Sequence, residues 1–335
     1  KPKTKKAILS VFAVLLMCLL GVVYFLTVRG DPKYEIADLG ECRIWEAWDL
    51  NDVGQLVMTE RPPGGAWSTF LIEPDGSRSQ LKLDSKYVYG EDINNRGEIA
   101  GYVRDKNSAT STDTVGFVWN PENGFTFISK MNIVLGINDL GDFVGGTFDD
   151  NHNLIPCLRK NGGEIIEYED DLGVMNASLK DINNHGSLIG GGYVNGKGHV
   201  AKVWKATGEV SDIPPLSNHG VFANALNNHG QILCSSSDLG NLKNSFLGIS
   251  DWVKSGFKAT INLKDYRHSV NKRFFVWKDG ESADIENSLP ISSGWDIVWA
   301  QGINNDGEII GTGFYRGDSH AFLLTPINKD TEGGG

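Results

Sequence analysis

One short pattern, in which Asn-Asn or Asn-Asp is followed by a variable residue and Gly, occurs six times in the chain. The first five copies follow one another at intervals of 43 to 45 residues, and 77 residues separate the last two. A repeat of this length is typical of stacked or propeller architectures, in which each unit buries its faces against its neighbours. The first asparagines of the copies are Asn51, Asn94, Asn138, Asn183, Asn227 and Asn304.

Each copy predicts a β-hairpin turn. Asn suits the first position of a type I turn because its side chain bonds the backbone two residues on, and Gly suits the left-handed fourth position. Two adjacent apolar residues follow each glycine, for example Ile99 and Ala100. Neighbouring residues on a strand point to opposite faces, so this strand is expected to be buried on both sides. A calcium loop would need several carboxylates where these copies have mostly Asn.

A second hairpin with a Gly-containing turn follows each copy, so every unit has four strands. We therefore predict an all-β fold, a single β-propeller covering residues 33–326. Seven stretches resemble the second hairpin, and the extra one falls in the 77-residue interval. Seven blades are expected, with an abbreviated blade between Leu263 and Arg273; the alternative is six blades with an inserted hairpin. The stretch His320–Pro326 lacks a partner strand, which the segment from Lys33 to Gly40 is expected to supply.

The N-terminal region predicts a membrane segment. Residues 7–28 are 22 residues without a charge, long enough to span a hydrocarbon core of about 30 Å. Four lysines precede them, which favours a cytoplasmic tail at residues 1–6 and export of the remainder. We expect an uncleaved single-pass anchor at the cell membrane, with a periplasmic or extracellular domain; a cleaved signal peptide is the alternative. Residues 327–335 are expected to be a disordered tail.

Charge and cysteine content exclude several classes of partner. The residues after position 30 carry 26 basic and 42 acidic side chains, a formal charge of −16. An acidic domain is repelled by nucleic acid and by anionic lipid, so contact with the membrane is expected through the N-terminal helix only. Cys42, Cys157 and Cys234 have no zinc spacing, and no metal or other cofactor is expected. The domain is expected to be monomeric.

The last repeat carries a family resemblance. The stretch Ala300–Pro326 resembles the HAF repeat of bacterial extracellular proteins, named for the residues that stand here at His320, Ala321 and Phe322. The stretch "YEIADLG" from Tyr34 is similar to the start of many such proteins. The resemblance implies an exported repeat protein and assigns no activity.

The candidate binding residues lie in the variable loops. In a propeller the six Asn turns share one face, and the loops that differ between units share the other. Aromatic residues recur in these loops with charged residues beside them, which suits a sugar or peptide ligand. The candidate ligand-binding residues are Trp67, Tyr87, Tyr89, Phe222, Trp295, Trp299, Tyr315, Arg316 and His320.

No catalytic motif occurs in the sequence. We therefore expect a recognition module for an extracellular carbohydrate or a protein partner rather than an enzyme. The alternative is a propeller-fold glycoside hydrolase or lyase, which needs two opposed carboxylates. The candidate carboxylates for that alternative are Asp149, Asp150, Asp170, Asp171, Asp296 and Asp318.

Overall fold

The computed structural model describes residues 31–42, 47–61, 67–84, 86–108, 112–168, 174–195, 197–216, 220–237 and 272–327. The described strands form six antiparallel sheets of four strands each, arranged as the blades of a β-propeller. The predicted anchor at residues 7–28 and the predicted tail lie outside the described residues, apart from Ile327. Among the described residues, no helix is both long and apolar enough to span a membrane.

The first three blades follow the repeat in order. Blade 1 contains β2 (Ala47–Leu50), β3 (Leu56–Glu60), β4 (Ser68–Ile72) and β5 (Arg78–Leu81). Blade 2 contains β6 (Lys86–Ile93), β7 (Ile99–Asp105), β8 (Thr114–Asn120) and β9 (Gly124–Phe127). Blade 3 contains β10 (Ile133–Ile137), β11 (Phe143–Phe148), β12 (Leu154–Arg159) and β13 (Ile165–Glu167).

The other three blades complete the ring. Blade 4 contains β14 (Met175–Ile182), β15 (Leu188–Val194), β16 (Gly198–Trp204) and β17 (Val210–Ile213). Blade 5 contains β18 (Gly220–Leu226), β19 (Ile232–Ser237), β20 (Lys272–Lys278) and β21 (Glu281–Asp284), followed by a 3-10 turn at Glu286–Ser288. Blade 6 contains β22 (Trp295–Ile303), β23 (Ile309–Tyr315), β24 (Asp318–Pro326) and, at its outer edge, β1 (Tyr34–Glu41).

The seven-blade prediction is wrong, and the six-blade alternative fits. β19 pairs directly with β20, with Cys234 opposite Phe275, so the hairpins on either side of residues 238–271 both belong to blade 5. Residues 238–271, which include one of the seven counted stretches and the abbreviated blade, lie outside the described residues. The predicted closure is confirmed, because β1 pairs with β24 from Tyr34 opposite Pro326 to Glu41 opposite His320.

The second strand of each blade is buried on both faces, as the adjacent apolar pairs predicted. Ile99 and Ala100 at the start of β7 are fully buried, Ile99 in the core against blade 1 and Ala100 in the core against blade 3. The residue that follows this pair, Gly101, has no room for a side chain. A Cβ on Gly101 would lie 2.0 Å from the carbonyl oxygen of Tyr89, because β6 bulges between Gly90 and Asp92 and brings its backbone against β7.

Candidate functional site

The propeller has two ends of different character. The Asn-turn face carries the six repeated turns, and the loop face carries the opposite ends of the same strands. In each turn the glycine donates its N–H to the first asparagine carbonyl, as Gly97 does to Asn94 at 3.0 Å. The predicted left-handed glycine is confirmed, with φ of 71° at Gly97 and 77° at Gly307.

The first asparagines of the turns form a closed ring of hydrogen bonds, here called the asparagine ring. Each Nδ2 donates to the backbone carbonyl of the equivalent asparagine in the next blade, at 2.8 to 3.5 Å, and Asn304 closes the ring onto Asn51. Each Oδ1 accepts backbone N–H groups of its own turn, as that of Asn94 does from Arg96 and Glu98. The buried ring therefore connects every blade to the next. Its members are Asn51, Asn94, Asn138, Asn183, Asn227 and Asn304.

The second position of the turns forms another closed ring, the acceptor ring. The backbone N–H of each member donates to the Oδ1 atom of the next, at 2.7 to 2.8 Å. Asp52 also accepts the side-chain amides of Asn95 and Asn305. The repeated Asn pair is thus both a hairpin turn and a contact between blades. The members of the acceptor ring are Asp52, Asn95, Asp139, Asn184, Asn228 and Asn305.

Three aspartates stand inside these rings and bridge neighbouring blades. Asp49 accepts the backbone N–H of Ile93 at 3.1 Å, and Asp92 and Asp181 make the equivalent bonds in blades 2 and 4. Burial, and then the charge of Asp92, raise the pKa of Asp49 and of Asp181 well above the usual range. A cavity of about 70 Å³ remains between the rings. Much of its polar lining is occupied by hydrogen bonds between blades.

An ion pair lies deeper along the same strands. Lys180 Nζ of β14 is 3.5 Å from Glu91 Oε2 of β6, and the two residues occupy equivalent bulge positions three residues before their ring asparagines. Burial acts to lower the pKa of Lys180, but the charges of Glu91 and Asp92 outweigh it and the pKa is raised. The pair links blade 2 to blade 4.

Three of the candidate aromatics occupy one equivalent position at the loop-face end of the innermost strands. Tyr89, Phe222 and Trp299 each stand five residues before a ring asparagine. A side chain from the preceding blade packs on each: Trp67 on Tyr89, His199 on Phe222 and Lys272 on Trp299. The ring centroids of His199 and Phe222 are 3.8 Å apart, and Lys272 Nζ is 3.2 Å from the centroid of the Trp299 ring. These positions mainly contribute contacts between blades.

The candidates of blades 1 and 2 are largely enclosed. Trp67 and Tyr89 expose only 8% and 6% of their surface, and Tyr89 stacks on Tyr102 with centroids 4.8 Å apart. Burial raises the pKa of the Tyr89 hydroxyl to about 12. Tyr87 is half-buried beneath the guanidinium of Arg104, which is 5.5 Å from its ring centroid. Little aromatic surface is left for a ligand here.

The remaining candidates come together at the loop-face end of blade 6, in a group here called the blade-6 shelf: Trp295, Tyr315, Arg316 and His320. Trp295 and Tyr315 are opposite each other on β22 and β23, and their rings stack with centroids 5.1 Å apart. His320 packs edge-on against both, at 6.2 Å from Trp295 and 5.8 Å from Tyr315. Both stacked rings are half-buried, and Arg316 is exposed. The shelf therefore presents aromatic and cationic groups together.

The closing strand supports this shelf. His320 Nδ1 lies 2.8 Å from Asp38 Oδ1 of β1. Slight burial acts to raise the pKa of Asp38, but the hydrogen bonds from His320 and from the Gly40 N–H outweigh it, so the pKa is lowered. The sequence predicts that these two strands pair, but it does not give the register that places Asp38 beside His320.

Of the candidate carboxylates within the described ranges, Asp149 lies in blade 3 and is a turn residue. Asp149 accepts the backbone N–H groups of Asn151 and Asn153, which is the role of a turn residue. Asp170 and Asp171 lie outside the described residues. Asp150 lies in blade 3, whereas Asp296 and Asp318 lie in blade 6. Within the described ranges, no group of three His, Cys, Asp or Glu side chains is arranged to hold a metal ion.

Comparison with known proteins agrees with the fold. No family model and no curated protein matches the chain. TolB from Acinetobacter baumannii aligns with a TM-score of 0.50 and 9% identity over 82% of this chain and 64% of that one. A putative TolB from Agrobacterium tumefaciens gives 0.49 and 12% over 89% and 100%, and a streptogramin B lyase gives 0.41 and 14% over 84% and 78%. At these identities the first similarity supports a common β-propeller fold and nothing further.

Proposed function

We propose that this propeller is a recognition module that binds an extracellular carbohydrate or a protein partner through its loop face. The observation that carries the proposal is the blade-6 shelf, where Trp295 and Tyr315 stack and Arg316 is exposed beside them. Exposed aromatic groups beside a few fixed polar groups are typical of binding surfaces. The Asn-turn face is the weaker choice, because its polar groups already bond to each other between blades.

The position of β1 supports this assignment of faces. Tyr34 pairs with Pro326, and Pro326 lies beside Gly307 of the last Asn turn, so the chain enters the propeller at the Asn-turn face. Residues 7–28 are proposed to anchor the protein in the cell membrane, with the propeller outside the cytoplasm. The short connection from residue 28 to Tyr34 would then hold the Asn-turn face toward the bilayer and leave the loop face accessible.

The ligand is sought with the full-length protein in detergent micelles on combined glycan and peptide arrays. Replacing Trp295 with Ala should weaken capture of any ligand found by about 1–3 kcal/mol, the range of an aromatic anchor. The matched control is Tyr193→Ala, which removes an exposed ring at the loop-face end of β15, in blade 4. Capture that is equally strong in both variants, or no capture at all, would refute the proposal. Mass spectrometry of the captured ligand reports cleavage, the mark of an enzyme.

The anchor is tested separately in intact spheroplasts. Added protease should digest the propeller if it lies outside the cytoplasm. A cytoplasmic marker protein provides the control for lysis. Protection of the propeller to the same degree as this marker would contradict the proposed localisation and would leave the binding experiment unaffected.

A further inference from the structure

Arg316 is held in a defined position on the blade-6 shelf. It lies in the tight turn between β23 and β24 with a left-handed φ of 54°, and its backbone N–H donates to the Gly294 carbonyl at 3.2 Å. Its guanidinium carbon is 4.9 Å from the centroid of the Tyr315 ring. A guanidinium stacked on an aromatic ring keeps its N–H edge free to bind in plane. The donor groups of Arg316 are therefore positioned before any ligand arrives.

The charge of Arg316 is not neutralised by another residue of the described ranges. Several other described arginines do pair with a carboxylate: Arg78 with Glu60, Arg96 with Glu98, and Arg273 with Asp284. The carboxylate of Asp38 is engaged by His320, and Arg316 forms no ion pair with Asp318, which follows it by two residues. An exposed and positioned guanidinium is thus the distinctive charge of the shelf, on a chain whose formal net charge is −11.

We propose that the blade-6 shelf binds a sugar that carries a carboxylate, as in an oligosaccharide of uronic acids. This inference rests on the proposed function and specifies its ligand. The rings of Trp295 and Tyr315 offer apolar contact for the carbon–hydrogen face of a pyranose ring. Arg316 offers a planar fork that pairs with a carboxylate through two parallel hydrogen bonds. Because the rest of the domain is acidic, the selectivity for an anion arises at short range from this one residue.

The test uses an array of uronic-acid oligosaccharides, built from galacturonic, glucuronic or mannuronic acid, each beside its carboxyl-reduced neutral counterpart. The full-length protein should prefer at least one acidic member over its counterpart by tenfold or more, the range of a charge-assisted pair. Arg316→Asn should remove that preference, and Asn tolerates the left-handed backbone. Arg316→Lys keeps the positive charge but lacks the planar guanidinium, so it should retain only part of the preference for acidic members.

The matched control is Lys130→Asn. Lys130 is exposed, has a left-handed φ of 64°, and lies in the loop between β9 and β10 on the same face. This variant removes the same charge from a different blade, so the preference for acidic oligosaccharides should persist. Thermal unfolding of each variant checks that the fold is intact. Equal binding of acidic and neutral members, or binding of acidic peptides alone, would overturn this inference while the recognition function stands. Absence of any glycan or peptide ligand would overturn both.

Discussion

The side-chain amide of Asn51 donates to the backbone carbonyl of Asn94, 43 residues away, at 2.9 Å. The same bond recurs between each pair of neighbouring blades and closes at Asn304. A residue type that usually marks a surface turn is here nearly buried, with Asn51 only 3% exposed. The first asparagine of each repeat therefore joins neighbouring blades as well as forming its own turn.

Replacing Asn94 with Ala should destabilise the propeller by about 2–4 kcal/mol, because a buried carbonyl and two turn N–H groups lose their partner. The affected groups are the Asn138 carbonyl and the N–H groups of Arg96 and Glu98. Chemical denaturation measures the change. Asn123→Ala, at an exposed turn, is the control and should stay within about 0.5 kcal/mol of the parent. Equal stability of the two variants would show that the ring contributes little.

Replacing Gly101 with Ala should cost about 1–3 kcal/mol, because the new methyl group has no room beside the Tyr89 carbonyl. Its backbone is not left-handed, so the cost would come from the contact alone. Gly124→Ala provides the contrast, since its φ is 70° and a Cβ there meets nothing within 4 Å. That variant should lose about 1 kcal/mol through backbone strain. Thermal unfolding that ranks Gly124→Ala as the more damaging change would contradict this explanation.

Stability should fall as the pH rises above the ordinary carboxyl range. The pKa of Asp49 is raised in the folded protein, so the folded state keeps a proton that the unfolded chain has lost. The stabilisation is complete below the unfolded value and is lost as the pH rises through the folded one. The groups that face Asp49 include Asp92, Asp181 and Lys180.

Asp49→Asn should reduce this fall of stability with rising pH. The amide keeps an acceptor for the Ile93 N–H and cannot ionise. Denaturation midpoints between pH 5 and 9 provide the measurement. Asp75→Asn is the control, because Asp75 is exposed and its pKa is lowered by hydrogen bonds to Ser77. This variant should leave the dependence of stability on pH unchanged over this range. A parent protein whose stability rises with pH over this range would refute the prediction.

Deleting residues 34–40 should abolish cooperative unfolding, because β24 would lose its outer partner and the core would lose Tyr34. Circular dichroism during heating provides the measurement. A synthetic peptide of residues 34–41, added in trans, should restore part of the transition if strand pairing is the cause. Glu35→Ala, at an exposed position of the same strand, should melt like the parent. A deletion variant that also melts like the parent would disprove the closure.

Local features of the fold could be predicted from the sequence, and contacts across blades could not. The Asn-Asn-x-Gly copies specify turn geometry within four residues, so the left-handed φ of Gly97 could be predicted from the sequence alone. Blade number depends on which strand pairs with β19, and the partner β20 begins 35 residues after Ser237. The burial of Trp67 likewise depends on a neighbouring blade. Only the four candidates of the blade-6 shelf are brought together in one sheet, with the aromatic rings half-buried and Arg316 exposed.

The pairing of β1 with β24 has a consequence for biosynthesis. Among the described strands β1 is made first and its partner β24 is made last, so the hydrogen-bonding edge of β1 stays unmatched until β24 has been synthesised. Contacts between such distant segments form slowly, because a long loop must close first. A factor that assists assembly of this protein would therefore act mainly on the eight residues of Tyr34–Glu41, by preventing them from pairing with other strands too early.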